Sequence, residues 1–158
     1  FVKKLLPFHI DVWGDQGWQA LEKDGLNYRG FAGHFIELNK IYNATMINID
    51  IGRFYQRDII TMRVFDVLAC GGFIIAEYSE ELNELFTIGK DIEAYKTLNE
   101  LIDKVAYYLG NQEKIKQIAQ KGREIVIKRH SIKKRLEEML KIIQRKQQSK
   151  YINSDYNM

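Results

Sequence analysis

The chain has 158 residues, the usual size of one domain, and its hydrophobic content of 46% is enough to bury a core without disulfides or metal. Lysine and arginine exceed aspartate and glutamate only by 24 to 21, a balance that does not fit a dedicated nucleic-acid binder. The single cysteine, Cys70, excludes an internal disulfide framework and a cysteine-built metal site, and it fits a reducing compartment, the cytoplasm being the simplest expectation.

No apolar run approaches the roughly 18 residues needed to cross a bilayer, and residues 1–10 lack a signal-peptide core. The first residue is Phe1 rather than Met, so a piece of a longer protein is expected. Residues 8–13 form an apolar, β-branched run closed by the turn formers Gly14, Asp15, Gln16 and Gly17, which predicts strand then loop. A second short strand is predicted over 28–31, followed by the loop of Gly30, Phe31, Ala32 and Gly33. A short helix over 35–43 carries Leu38, Ile41 and Tyr42 at helical spacing. Residues 45–51 read as a buried parallel strand ended by Gly52.

Thr61 is placed to cap a helix through Val64, Phe65, Leu68 and Ala69, which Gly71 and Gly72 stop. Strand 73–76, a helical turn over 80–86 and an edge strand over 91–95 follow. Thr97 and Glu100 have capping-box spacing, and Leu101, Ile102, Val105 and Leu109 then share one face. A further helix turns Ile115, Ile118, Ala119, Ile125 and Val126 inward. After His130 and Ser131, the last helix runs through Ile132, Leu136, Met139, Leu140 and Ile143. Its apolar stripe ends near Gln144, so residues 1–147 are expected to form the domain and 148–158 a frayed tail. Strands alternating with helices predict an α/β fold, a doubly wound, Rossmann-like parallel sheet with extra C-terminal helices. Ligands of such sheets bind beyond the carboxyl ends of the strands, and helix N-termini there favour phosphate.

The densest group of functional side chains lies in residues 58–72. Asp58 precedes the helix, Arg63 lies near its start and Asp66 on its second turn. A guanidinium and a helix N-terminus both attract a diphosphate, while a carboxylate accepts hydrogen bonds from two ribose hydroxyls. By spacing alone, the plainer reading is favoured: Asp58 as a loop acid, Arg63 with Asp66 as a solvated i,i+3 pair, and Cys70 as ordinary core.

The run Arg63, Val64, Phe65, Asp66, Val67, Leu68, Ala69, Cys70, Gly71, Gly72, Phe73 resembles the R-x-F-E-x-x-A-C-G-G-F stretch of group 1 glycosyltransferases, in particular the CgeB-like spore-maturation branch. Tyr28 to Ala44 upstream, and Leu85, Gly89, Tyr95, Leu101, Tyr108, Gly122 and His130 downstream, are similar to the same branch, so the resemblance spans residues 8–143. It implies the C-terminal half of a GT-B fold, with an N-terminal acceptor-binding domain outside this chain. The family's E-x7-E pattern falls on Asp58 and Asp66, each one methylene shorter than glutamate.

The resemblance further implies that Asp66 holds the ribose and that Asp58 faces the donor sugar. Arg63 would neutralise the diphosphate beside Thr61 and Met62, and Gly30, Phe31, Ala32 and His34 would meet the base. The donor would be a nucleoside diphosphate sugar of UDP type, transfer would be retaining, the acceptor is unassigned, and no metal or other cofactor is required. His9, His34 and His130 show no ligand spacing. A lone loop histidine such as His34 is as readily just exposed. Trp13 and Trp18 are as readily core as base-stacking. Arg53, Gln56 and Arg57 fit either a phosphate or a solvated loop. The basic C-terminal helices read as solvated faces, with the missing domain or an anionic membrane surface as further partners. The alternative function is a degenerate glycosyltransferase-like module with a structural role.

Overall fold

The computed structural model describes residues 1–52 and 59–155, with side chains described to residue 147. Two short parallel strands come first, β1 (Asp11–Val12) and β2 (Asn27–Tyr28), with Asp11 opposite Asn27. The predicted strands at 8–13 and 28–31 are trimmed. Pro7 has no N–H for a ladder, and Leu6–Phe8 forms a 3-10 turn instead. Gly30, at φ 80°, turns the chain just beyond β2. The connection between β1 and β2 is a run of 3-10 turns, Gln16–Asp24, which the sequence reading left unassigned. Asp15 starts it by accepting from the Gly17 N–H at 2.8 Å.

The main sheet contains β3 (Asn48–Asp50), β4 (Ile74–Glu77) and β5 (Glu93–Tyr95), all parallel and in that order. Helix α1 (Ile36–Ala44) leads into it, α2 (Met62–Cys70) joins β3 to β4, and α3 (Glu80–Leu85) joins β4 to β5. Three helices complete the chain: α4 (Leu98–Leu109), α5 (Gln112–Arg129) and α6 (Ile132–Asp155). Strand alternation sends Phe73, Ile75 and Tyr95 to one face, against Leu101, Val105 and Tyr108 of α4. Ile74, Ala76 and Ala94 go to the other, against Val64, Val67 and Leu68 of α2 and Leu82 of α3. With both faces covered, both parities of β4 are apolar, which is why residues 73–76 form an uninterrupted hydrophobic run. The fold is the expected α/β arrangement of parallel strands between helices. Its hydrogen-bonded strands divide, among the described residues, into a pair and a triplet.

Gly71, at φ 83°, closes α2: its N–H reaches Leu68 O at 3.0 Å and that of Gly72 reaches Val67 O at 2.9 Å, a Schellman motif. The Thr97 hydroxyl caps α4 through the Glu100 N–H, but the Glu100 carboxylate accepts from the Lys96 N–H at 2.7 Å, one residue earlier than a capping box predicts. Along α4 the buried third position is Tyr108, while Leu109 is exposed. On α6 the predicted stripe exists but faces water: Ile132, Leu136, Met139, Leu140 and Ile143 are all exposed, each by 49% or more.

Under α4, the buried Glu93 carboxylate accepts from Lys104 Nζ at 2.9 Å and from the Tyr108 hydroxyl at 2.5 Å. Burial works against the Lys104 ammonium, yet its bonds to Glu100 and Glu93 outweigh burial and raise its pKa. Lys104→Met should lower stability by about 1–3 kcal/mol in urea melts, because it leaves a buried carboxylate short of a donor. In a Glu93→Gln background that loss should shrink. An equal loss in both backgrounds would mean that the lysine acts through packing alone.

His130, between α5 and α6, lies against the rings of Phe65 and Phe86 at centroid distances of 5.8 and 5.3 Å, and its buried Nε2 has no hydrogen-bond partner among the described residues. Burial first, then the Arg135 charge, lowers its pKa below the ordinary 6.5. The unfolded chain therefore takes up this proton first. The contribution is fully present above the unfolded pKa and is lost as pH falls from there to the lower folded value. His130→Phe should flatten the fall in melting temperature between about pH 7 and 5. An unchanged slope would exclude His130 as its source.

Candidate functional site

The carboxyl ends of β3 and β4 open beside the N-terminus of α2, and Asp50, the last residue of β3, is the centre of that junction. It is 4% exposed. Its Oδ1 accepts from Arg63 Nη1 at 2.5 Å, and the Thr61 hydroxyl lies 3.3 Å from both carboxylate oxygens. Its backbone carbonyl accepts from the Tyr95 hydroxyl at 3.2 Å, which ties β3 to β5 across the end of β4. Burial first, then the charges of Glu77 and Asp50, raise the Tyr95 pKa far above the ordinary phenol value, so the hydroxyl stays a donor.

Below lies a cavity of ≈ 20 Å³ lined by Gly52, Ile59, Ile60, Val64, Ala76 and Glu77 among others. It has room for about one water molecule. The Glu77 carboxylate packs directly over Gly52, where a side chain would collide with it.

Thr61 occupies the predicted N-cap position with extended backbone, yet makes no side-chain cap. Its hydroxyl turns to Asp50 because a buried carboxylate is the stronger acceptor. Thr61 thus leaves the first-turn amides of Met62 and Arg63 uncapped by its side chain, at the positive end of the helix. Arg63 is half exposed: one nitrogen is anchored on Asp50, and the guanidinium also reaches the Tyr42 hydroxyl. Among the described residues its ion pair is with Asp50, not the i,i+3 pair with Asp66.

Asp66 is half-buried one turn further along α2, on the side that faces Tyr42 of α1. Burial raises the Tyr42 pKa, with Arg63 pulling the other way and Asp66 adding to it, which places all three side chains in one electrostatic neighbourhood. Burial, followed by Asp66, also raises the Cys70 pKa, so this thiol is not an activated nucleophile.

The loop of Gly30, Phe31, Ala32 and Gly33 lies elsewhere, before α1. Its Gly33 N–H donates to the Glu37 carboxylate at 2.6 Å. Phe31 and Phe35 are exposed, the latter at φ 77°, a strained conformation for a bulky residue. His34 is exposed as well. None of Gly30, Phe31, Ala32 or His34 lines the cavity at Asp50. Trp13 and Trp18 are half-buried, and the Trp18 ring packs on Gly14. Asp58, with Arg53, Gln56 and Arg57, lies outside the described residues. Among the described residues, no three His, Cys, Asp or Glu side chains gather to hold a metal ion, and no helix is long and apolar enough to cross a membrane.

A family model described as glycosyl transferase-like matches residues 1–141. The chain belongs to that family. No curated protein matches this glycosyl transferase-like chain in sequence. Among solved structures it is similar to the C-terminal domain of LpcC, a glycosyl transferase group 1 family protein from Francisella tularensis, at 19% identity and a TM-score of 0.51, covering 72% of this chain and 60% of that one. It is similar also to TarM, at 13% identity and a TM-score of 0.64, covering 89% of this chain and 30% of that one. At such identities the likeness is one of fold, that of the C-terminal domain of GT-B glycosyltransferases. The chain spans less than two thirds of either structure.

The sequence of this glycosyl transferase-like chain puts Arg63 and Asp66 on α2 with Thr61 at its N-cap, but it does not show Asp50 as the partner of Arg63 and Thr61, or Tyr42 beside Asp66. A signal for Asp50 was available. A carboxylate ending an apolar, β-branched run is buried by its strand, and buried charge requires a partner.

Proposed function

We propose that this chain is the donor-binding half of a glycosyltransferase and takes a nucleoside diphosphate sugar. What carries the reading is the end of α2: a helix N-terminus without a side-chain cap from Thr61 and a half-exposed Arg63, both set at the carboxyl ends of parallel strands in a chain of this family. The amides of Met62 and Arg63 and the Arg63 guanidinium would hold the diphosphate. As the sugar leaves, charge grows on the bridging oxygen, and fixed donors of this kind stabilise it without reorganising. Asp66 would accept the ribose hydroxyls, and the loop of Gly30, Phe31, Ala32 and His34 would meet the base, with Phe31 offering an exposed ring to stack on. A UDP-type donor and a retaining course belong to the same proposal, with a second lobe supplying the acceptor side.

Calorimetric titration with UDP, GDP and their sugar conjugates tests it, and absence of any binding overturns it. Asp66→Ala should weaken UDP binding by about tenfold, the scale of a lost charge-assisted hydrogen bond. The same variant should leave the affinity for 2′,3′-dideoxy-UDP unchanged. Equal weakening of both ligands would remove Asp66 from the ribose.

A further inference from the structure

We infer that Asp50 is the positioning residue of this site: its buried carboxylate holds Arg63 and Thr61 in place at the end of α2, so that an arriving diphosphate meets an arginine already oriented. The inference rests on the donor-binding reading above and adds a residue that does not touch the ligand.

The residue is fixed from two sides. Its carbonyl is bound by the Tyr95 hydroxyl of β5 at 3.2 Å, and its carboxylate by Arg63 at 2.5 Å and Thr61 at 3.3 Å. Asp50 thus transmits the position of the sheet to the tip of α2. A purely structural role is a poor account of a carboxylate there. Beside Glu77 and Ser79, the neighbouring cavity walls are mostly apolar, Ile59, Ile60, Val64, Ala76 and Leu82, and an apolar side chain would be desolvated more cheaply.

The exposures differ as positioning requires, 6% for the Asp50 side chain against 50% for Arg63. One partner is sealed in the fold, while the other is half exposed. A free arginine loses several rotatable bonds on binding a ligand, and an arginine already held by one nitrogen loses fewer. Holding Thr61 by the same carboxylate also keeps its hydroxyl off the helix amides, which leaves those amides for the ligand.

The test is a double-mutant cycle on the full chain, with UDP as the probe and Kd read by calorimetry. Asp50→Ala should weaken UDP binding about tenfold when Arg63 is present, and less than about twofold in an Arg63→Ala background. Asp50→Asn, which keeps an acceptor for Nη1 and preserves the fold if alanine does not, should lose less than alanine, again only when Arg63 is present. Equal losses in the two backgrounds would make Asp50 merely structural. Tighter binding by Asp50→Ala would make it a competitor for Arg63, and either outcome overturns the proposal. A wild-type chain that does not bind UDP would instead overturn the donor-binding reading itself.

Discussion

Arg63→Ala is expected to weaken UDP binding by between about tenfold and a hundredfold, the range for losing a charge-assisted hydrogen bond. The effect should be specific to this cation. Lys134 lies on α6, paired with Glu137 at 3.0 Å in an exposed i,i+3 contact, and Lys134→Ala should change the affinity by less than about twofold. Comparable losses from both variants would indicate diffuse attraction between a cationic chain and an anionic ligand, and the site would lose its claim to the diphosphate. Raising the salt separates the cases further, since diffuse attraction is screened over about 8–10 Å whereas a direct contact is screened much less. Arg63→Ala also strands the Asp50 carboxylate, so its melting temperature should be recorded beside its affinity.

The second large effect concerns Gly122 in the middle of α5. In an exposed helix, glycine to alanine gains about 1 kcal/mol of stability. Gly122 is buried, and a β-carbon on it would run into the carbonyl oxygen of Asp91 and lie 2.7 Å from Leu68 Cδ2 of α2. The backbone oxygen cannot step aside as a flexible side chain can. Gly122→Ala should therefore destabilise rather than stabilise, and Gly122→Val should cost about 3 kcal/mol, the upper part of the range for overpacking. For a chain of this size that corresponds to a fall in melting temperature of about 6–12 °C. Circular dichroism melts read it directly. A rise in melting temperature for Gly122→Ala would mean that α5 is not pressed against α2 at this point.

Legibility in the sequence followed the range of the interactions. Helices α2 and α4 were readable because their signals are local: Thr61 and Thr97 before apolar periodicity, and Gly71 after it. The parallel α/β class was readable from the alternation of elements. The details that failed depend on partners far along the chain. Thr61 looks like an ordinary cap until Asp50, eleven residues earlier, draws its hydroxyl away. Arg63 and Asp66 look like a pair because they are three residues apart, yet the stronger partner of Arg63 comes from a strand. The stripe on α6 shows helical period without showing whether anything covers it. Gly122 appears as one more weak point in a helix until α2 and the Asp91 carbonyl are brought against it.

The uncovered stripe of α6 has a practical side. From Ile132 to Ile143 the helix advances roughly 16 Å, and five apolar side chains stand along that line with Lys133 and Arg135 beside them. Chains purified by themselves carry this greasy seam into the tube, where matching seams attract one another as protein concentration rises. Sedimentation and light scattering on the isolated chain will then report crowding along α6 before they report anything about its ligand, and dilute samples are the ones in which affinity can be read cleanly.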